Sequence, residues 1–134
     1  MIKQLAHICI HTEDLEATER FYTKALGMTK GFKFVRKDRP FGYYLKFGND
    51  TFLEVFEGKP GEVGNINHLA IEVDDIDATI DQIREAGGEV GDKKIGADHS
   101  WQAWLNDPNG IRIELHEYTE ESMQLKGGTC VADW

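Results

Sequence analysis

The chain has 134 residues, 40% hydrophobic and 29% charged, which suits one compact domain and excludes both a disordered chain and a two-domain enzyme. With 15 Lys and Arg against 24 Asp and Glu the net charge is −9, so nucleic acid is repelled, and no cluster of cations offsets this. No apolar run approaches the roughly 20 residues that span a bilayer, and MIKQLAHICIH has no signal-peptide core, so no membrane partner and a cytoplasmic location are expected.

The first predicted element is a strand, Leu5 to His11, a short β-branched run. Asp14 then N-caps a helix with Leu15, Thr18, Tyr22 and Leu26 at helical spacing and Gly27 as its stop. Strand-type segments follow at Lys33 to Arg36, Tyr43 to Phe47 and Thr51 to Phe56, with Gly48-Asn49-Asp50 as the last turn. Ile66 to Val73 opens the same order again. Asp75 caps a helix with Ile76, Ile80 and Ile83 on one face, Gly87 and Gly88 end it, and strands are expected at Glu89 to Lys94, Gln102 to Leu105 and Ile111 to Glu117 around the turn Asp107-Pro108-Asn109-Gly110. Beyond Tyr118, Thr119-Glu120-Glu121 caps a short helix, and an end carrying Val131 and Trp134 is expected to dock near a subunit contact or over a cup rim.

The second run of elements is a copy of the first. Sliding residues 5–27 by 61 positions onto 66–88 aligns His7 with His68, Ile10 with Ile71, Asp14 with Asp75, and four further identities. The chain therefore reads as an α+β fold of two tandem βαβββ modules, about 3–60 and 64–118, with a tail at 119–134. Two such units must share a core, which predicts pseudo-twofold symmetry and a cupped mixed sheet with helices on its convex face. A homodimer is expected, since two units make only half of the cupped sheets if the cup is built between chains. Cys9 and Cys130 have no ligand or disulfide spacing and read as free thiols.

Side chains of a strand alternate between faces. One face carries Ile8, Ile10, Leu53, Val55, Leu69, Ile71, Val73, Ile111, Ile113 and Leu115, which bury against helices. The other carries His7, Cys9 and His11; Phe52, Glu54 and Phe56; His68, Ala70 and Glu72; Arg112, Glu114 and His116. A His recurs at the same place in both first strands and a Glu in both last ones, with separations of 47 residues (7 to 54) and 46 residues (68 to 114). His7, Glu54, His68 and Glu114 thus make a symmetric donor set of two imidazoles and two carboxylates for one divalent ion. His11, His99 and His116 have no counterpart in the other half and read as ordinary polar residues, although His11 shares a face with His7.

HICIHTEDLEATERFYTKALGM, INHLAIEVDD and DPNGIRIELHEY, within Leu5 to Tyr118, resemble the vicinal-oxygen-chelate superfamily of glyoxalases and bleomycin-resistance proteins. The order His, Glu, His, Glu is similar to that of its bacterial glyoxalase I (lactoylglutathione lyase) branch. The resemblance implies His7, Glu54, His68 and Glu114 as ligands, Glu114 as base with Glu54 as second base or the reverse, and nickel first among nickel, cobalt, zinc, iron and manganese. Three positions depart from that branch: His11 stands where it has an arginine and Gly58 where it has an asparagine, both thiol contacts, and GADHSWQAW has aromatics where it has lysine.

A carbon acid beside a carbonyl is weaker than a carboxylic acid by about ten pKa units, roughly 14 kcal/mol, so a carboxylate needs a Lewis acid to deprotonate it. The expected function is a metal-dependent lyase or isomerase of glyoxalase type acting on a substrate with vicinal oxygens, such as a thiol hemithioacetal or related 2-oxo compound. Alternatives are another enzyme of the superfamily (epimerase, thiol transferase or dioxygenase) and an antibiotic-binding resistance protein. His11, Phe52, Phe56, Trp104 and Arg112 are the expected substrate lining, with Trp101, Tyr43, Tyr44 and Lys46 as further candidates at the rim.

Overall fold

The structure, a computed structural model, describes residues 1–20, 22–23, 28–59, 64–106 and 112–134. Its elements are β1 (Ile2–Thr12), α1 (Leu15–Arg20), β2 (Thr29–Arg36), β3 (Arg39–Lys46), β4 (Phe52–Glu57), β5 (Ile66–Val73), α2 (Ile76–Glu85), β6 (Lys94–Ile95), β7 (Trp101–Asn106), β8 (Arg112–Glu117), α3 (Met123–Lys126) and β9 (Thr129–Val131). Both α1 and α2 start where an aspartate satisfies a free backbone N–H: Asp14 Oδ1 accepts from Ala17 N and Asp75 Oδ1 from Ala78 N, each at 2.9 Å. At the end of α2, Gly87 takes φ +83°, a conformation open to glycine, and its N–H closes onto Arg84 O at 3.0 Å. Leu26, Gly27, the turn Asp107-Pro108-Asn109-Gly110 and Ile111 lie outside the described residues.

The nine strands among the described residues form one mixed sheet in the order β6-β7-β8-β5-β1-β4-β3-β2-β9. In each module the first strand pairs in parallel with the last, β1 with β4 and β5 with β8. The modules meet at the antiparallel pair β1·β5, where His7 faces Ala70 and Cys9 faces His68. Exchanging the modules turns one of these pairs into the other, so a local two-fold axis runs through the seam. Both modules of this sheet come from one chain.

The apolar face packs on the helices. Val73, Leu115 and Ala103 bury against Ile76 and Ile80 of α2, and Leu53, Val55 and Leu45 against Leu15 of α1. The opposite, concave face is not uniformly open. Over the first module it is filled by Phe32, Phe34, Phe41, Tyr44 and Phe52, which with Cys130 and Ala132 of the tail form a third core, and Met123 of α3 packs there too. Helices therefore occupy both faces, and the tail is a ninth strand, β9 lying parallel to β2. Two segments depart from the expected strands. Of Glu89 to Lys94 only Lys94 enters a ladder, while Gly91 N makes one bond to Trp104 O at 3.0 Å; the short-helix cap moves from Thr119 to Ser122. No helix among the described residues is long and apolar enough to cross a membrane.

Gly42 of β3 shows how tightly the concave side is packed. A Cβ there would lie 2.3 Å from Phe56 Cδ1 and 2.7 Å from Val55 O, the latter rigid backbone. Gly42→Ala is expected to cost about 1–3 kcal/mol through overpacking. Chemical denaturation checks this, and an unchanged midpoint would show that the Phe56 ring yields freely.

Candidate metal centre

The four central strands, β8-β5-β1-β4, each contribute one donor. The parallel ladders place Glu54 opposite Cys9, two residues beyond His7, and Glu114 opposite Ala70, two residues beyond His68, so the register is the same in both modules. The side chains at the seam are small, Cys9 and Ala70, both buried, which leaves room for the larger groups to converge. His7 Nε2 lies 2.8 Å from His68 Nε2, 2.9 Å from Glu114 Oε2 and 3.6 Å from Glu54 Oε1. His68 Nε2 lies 3.3 Å from Glu114 Oε2 and 3.6 Å from Glu54 Oε1. All four residues are at least nine-tenths buried.

Donors bonded at about 2.1 Å to one octahedral ion stand about 3.0 Å apart when adjacent and about 4.2 Å when opposite, and the five separations of the imidazole nitrogens from each other and from the two carboxylates fall in that range or just inside it. The outer contacts agree. Asn67 Oδ1, which can only accept, lies 2.8 Å from His68 Nδ1 and so places the proton there, leaving the Nε2 lone pair facing inward. Tyr44 OH meets His7 Nδ1 at 2.9 Å. Burial, reinforced by the Glu54 and Glu114 charges, pushes the Tyr44 hydroxyl well above its ordinary pKa, so it stays a phenol. For Glu114, burial acts to raise the pKa, but His116, His7 and His68 outweigh it and hold the carboxyl below the usual carboxylate range. The residues present therefore fit a divalent ion.

Beside the quartet opens a cavity of about 630 Å³, lined by Glu54, His68 and Glu114 at its base. His11, Phe56, Trp104 and Arg112 line it as well. Trp104 packs edge-on against His68 at 4.9 Å between ring centroids, and the Arg112 guanidinium sits 4.0 Å over the Trp104 ring. Phe52 is a correction: although on the donor face, it is covered by Tyr44 and Tyr118 and belongs to the concave aromatic core, not to the cavity wall. Tyr43 and Trp101 point to the helix side, where Tyr43 OH donates to Leu15 O at 3.0 Å. Lys46 is engaged with Asp50 at 3.7 Å. The two departures expected at the thiol site are neighbours in space, since a Cβ on Gly58 would lie 3.3 Å from His11 Nδ1.

Several site residues were not singled out from sequence. Phe34, Lys94 and Asp133 line the cavity; Trp134 of the tail, expected at a subunit contact or a cup rim, lines it as well, edge-on to Phe34 at 5.6 Å and to Phe56 at 6.1 Å between ring centroids. Arg36 holds the Trp134 carbonyl at 2.5 Å. Asp98 is buried, its carboxylate accepting from Gln124 Nε2 at 2.6 Å and Ser100 N at 3.2 Å. His116 stands beside it in the core. Its position two residues after Glu114 was the available signal, but the equivalent place in the first module is Phe56, so the duplication did not mark it.

Residues 4–115 match the profile of the Glyoxalase/Bleomycin resistance protein/Dioxygenase superfamily. The chain is 33% identical to a probable lactoylglutathione lyase of Vibrio parahaemolyticus, over 92% of this chain and 97% of that protein. It is 32% identical to an ethylmalonyl-CoA/methylmalonyl-CoA epimerase of Cereibacter sphaeroides, over 87% and 99%. Among solved structures, methylmalonyl-CoA epimerase from Mycobacterium tuberculosis shares the fold, with a TM-score of 0.74 and 22% identity over 90% of this chain and 91% of that one.

Proposed function

The chain belongs to the Glyoxalase/Bleomycin resistance protein/Dioxygenase superfamily, and from that premise we propose that it is a metal-dependent lyase or isomerase of glyoxalase type that moves a proton at a carbon beside a carbonyl. One observation carries the reading: equivalent strands of two modules bring His7, Glu54, His68 and Glu114 to one point at the base of a cavity. A divalent ion held there, nickel first and otherwise cobalt, zinc, iron or manganese, would supply Lewis-acid polarisation of two vicinal oxygens. Glu114, kept ionised by its imidazole neighbours, accepts the proton from carbon, and Glu54 across the two-fold axis is the second base. Phe34, Phe56 and Trp134 wall one side of the cavity. The protein is taken to act as a homodimer, and a monomer by light scattering at micromolar concentration would count against this.

The lining favours an apolar or aromatic compound with two vicinal oxygens over the tripeptide tail of glutathione. With His11 and Gly58 at the thiol-contact positions, the first module contributes no Lys or Arg to the cavity lining among the described residues. A second reading, acyl-thioester epimerisation, is favoured by the 32% identity to the epimerase and by Arg112 and Lys94, both on the cavity wall, where they would meet an anionic carrier.

Two measurements test these readings. Metal analysis of freshly purified protein is expected to give one divalent ion per chain; a metal-free protein would move the reading to an antibiotic-binding role. Nickel-reconstituted protein is expected to turn over the adduct of methylglyoxal and glutathione at a kcat/KM below about 10⁴ M⁻¹ s⁻¹. A higher value would restore the lactoylglutathione lyase reading, and deuterium exchange at the α-carbon of an acyl thioester would favour the epimerase.

A further inference from the structure

One side chain at the centre is fully buried and lacks hydrogen bonds. His116 of β8 is 1% exposed, and neither of its ring nitrogens has a hydrogen-bond partner. Buried imidazoles are nearly always satisfied, and since Asp98 lies behind Nε2, it is Nδ1 that marks a missing partner. The side chain lies two residues beyond Glu114 on the same face of the strand. Its ring stands edge-on to that of His7 with centroids 5.4 Å apart, and its Nδ1 is 3.8 Å from Glu114 Oε2. One ligand atom from each of His7, Glu114 and His116 lies within 4.8 Å of the others.

The far side of the ring is informative as well. His116 Nε2 faces Asp98 Oδ2 at 3.4 Å. That carboxylate is itself fixed by Gln124 and Ser100. His7 and His68 are built alike, each with an outer partner on the nitrogen that points away, Tyr44 for one and Asn67 for the other. An imidazole with a carboxylate behind it and a free nitrogen in front has the arrangement of a metal ligand.

We propose that His116, through Nδ1, is a fifth protein donor to the ion of this centre, with Asp98 as the positioning residue that fixes its tautomer. This rests on the metal reading above. Its Nδ1 stands 3.8 Å from Glu114 Oε2, between the spacings of adjacent and opposite donors. A third imidazole biases the set toward nickel, cobalt and zinc and away from manganese, which prefers oxygen donors.

The test is metal binding to the full chain, stripped and titrated with nickel, cobalt(II) or manganese(II) in competition with a chelator. His116→Gln is expected to weaken nickel and cobalt binding by at least 10–100-fold, to weaken manganese binding less, and to shift the visible absorption of the cobalt(II) protein; Asp98→Asn is expected to weaken nickel binding about 10-fold. X-ray absorption at the nickel edge of the unmutated protein is expected to count three imidazoles, which keeps the test independent of whether either variant folds. Stoichiometric nickel with two imidazoles, or a His116→Gln protein with unchanged affinity and cobalt spectrum, would overturn this inference and leave the proposed function standing. Failure of the unmutated chain to bind any of the three metals would overturn both.

Discussion

Glu114→Gln is expected to lower turnover of the physiological substrate by about 10²–10⁴-fold, the usual loss when a positioned general base is removed. The amide keeps the size of the side chain and one oxygen donor but cannot accept the proton. Glu114 is also a ligand in this reading, so metal content must be measured on the same sample. A variant that keeps its ion and loses turnover identifies the base, whereas one that loses both identifies a ligand only. Glu54→Gln is the matched control, because the two-fold axis relates Glu54 to His7 as it relates Glu114 to His68. The larger fall in kcat at retained metal distinguishes the two carboxylates, and full turnover in both variants would remove carboxylate catalysis from this site.

His7→Ala is expected to abolish stoichiometric metal and to destabilise the fold as well. His7 is wholly buried at the seam of the two modules, with Glu114 at 2.9 Å and Glu54 at 3.6 Å. Removing it leaves two buried carboxylates short of a partner, a change that costs on the order of 3–5 kcal/mol in comparable ion pairs. Against a total stability of about 5–15 kcal/mol for a domain, that is a large fraction. A bound ion adds to the difference, since 100 times its Kd of free metal stabilises the native state by about 2.7 kcal/mol. Thermal denaturation with and without nickel should show a metal-dependent rise in Tm for the unmutated chain and none for the variant. Retained metal and an unchanged Tm in His7→Ala would rule out His7 as a ligand.

The quartet was legible in the sequence because two independent regularities coincide on it. Strand alternation put His7, Glu54, His68 and Glu114 on one face, and the internal repeat put them at equivalent places. Residues outside the repeat carried no such signal. Tyr44, Asn67 and Asp98 act through contacts with imidazoles that the repeat does not relate to them, and β9 is three residues long, too short to show a period. Phe52 marks the limit of alternation as a guide. Alternation assigns it to the donor face, but whether that face is open or filled depends on Tyr118 and on aromatic residues of β2 and β3 that arrive from elsewhere in the chain.

The symmetry of the quartet has a stereochemical corollary. An axis that exchanges His7 with His68 also exchanges Glu54 with Glu114, so to the four donors alone a planar substrate offering one face to Glu54 is equivalent to the same substrate turned end for end and offering that face to Glu114. The choice between these two placements falls to the groups that the axis does not relate, His116 and the walls. Phe56, Phe34 and Trp134 stand on the Glu54 side, and Trp104 with Arg112 on the Glu114 side. Which prochiral face is presented to which carboxylate is therefore set by the bulk of the substituents against these two unlike walls, and enantiomeric preference can be inverted there without touching a ligand.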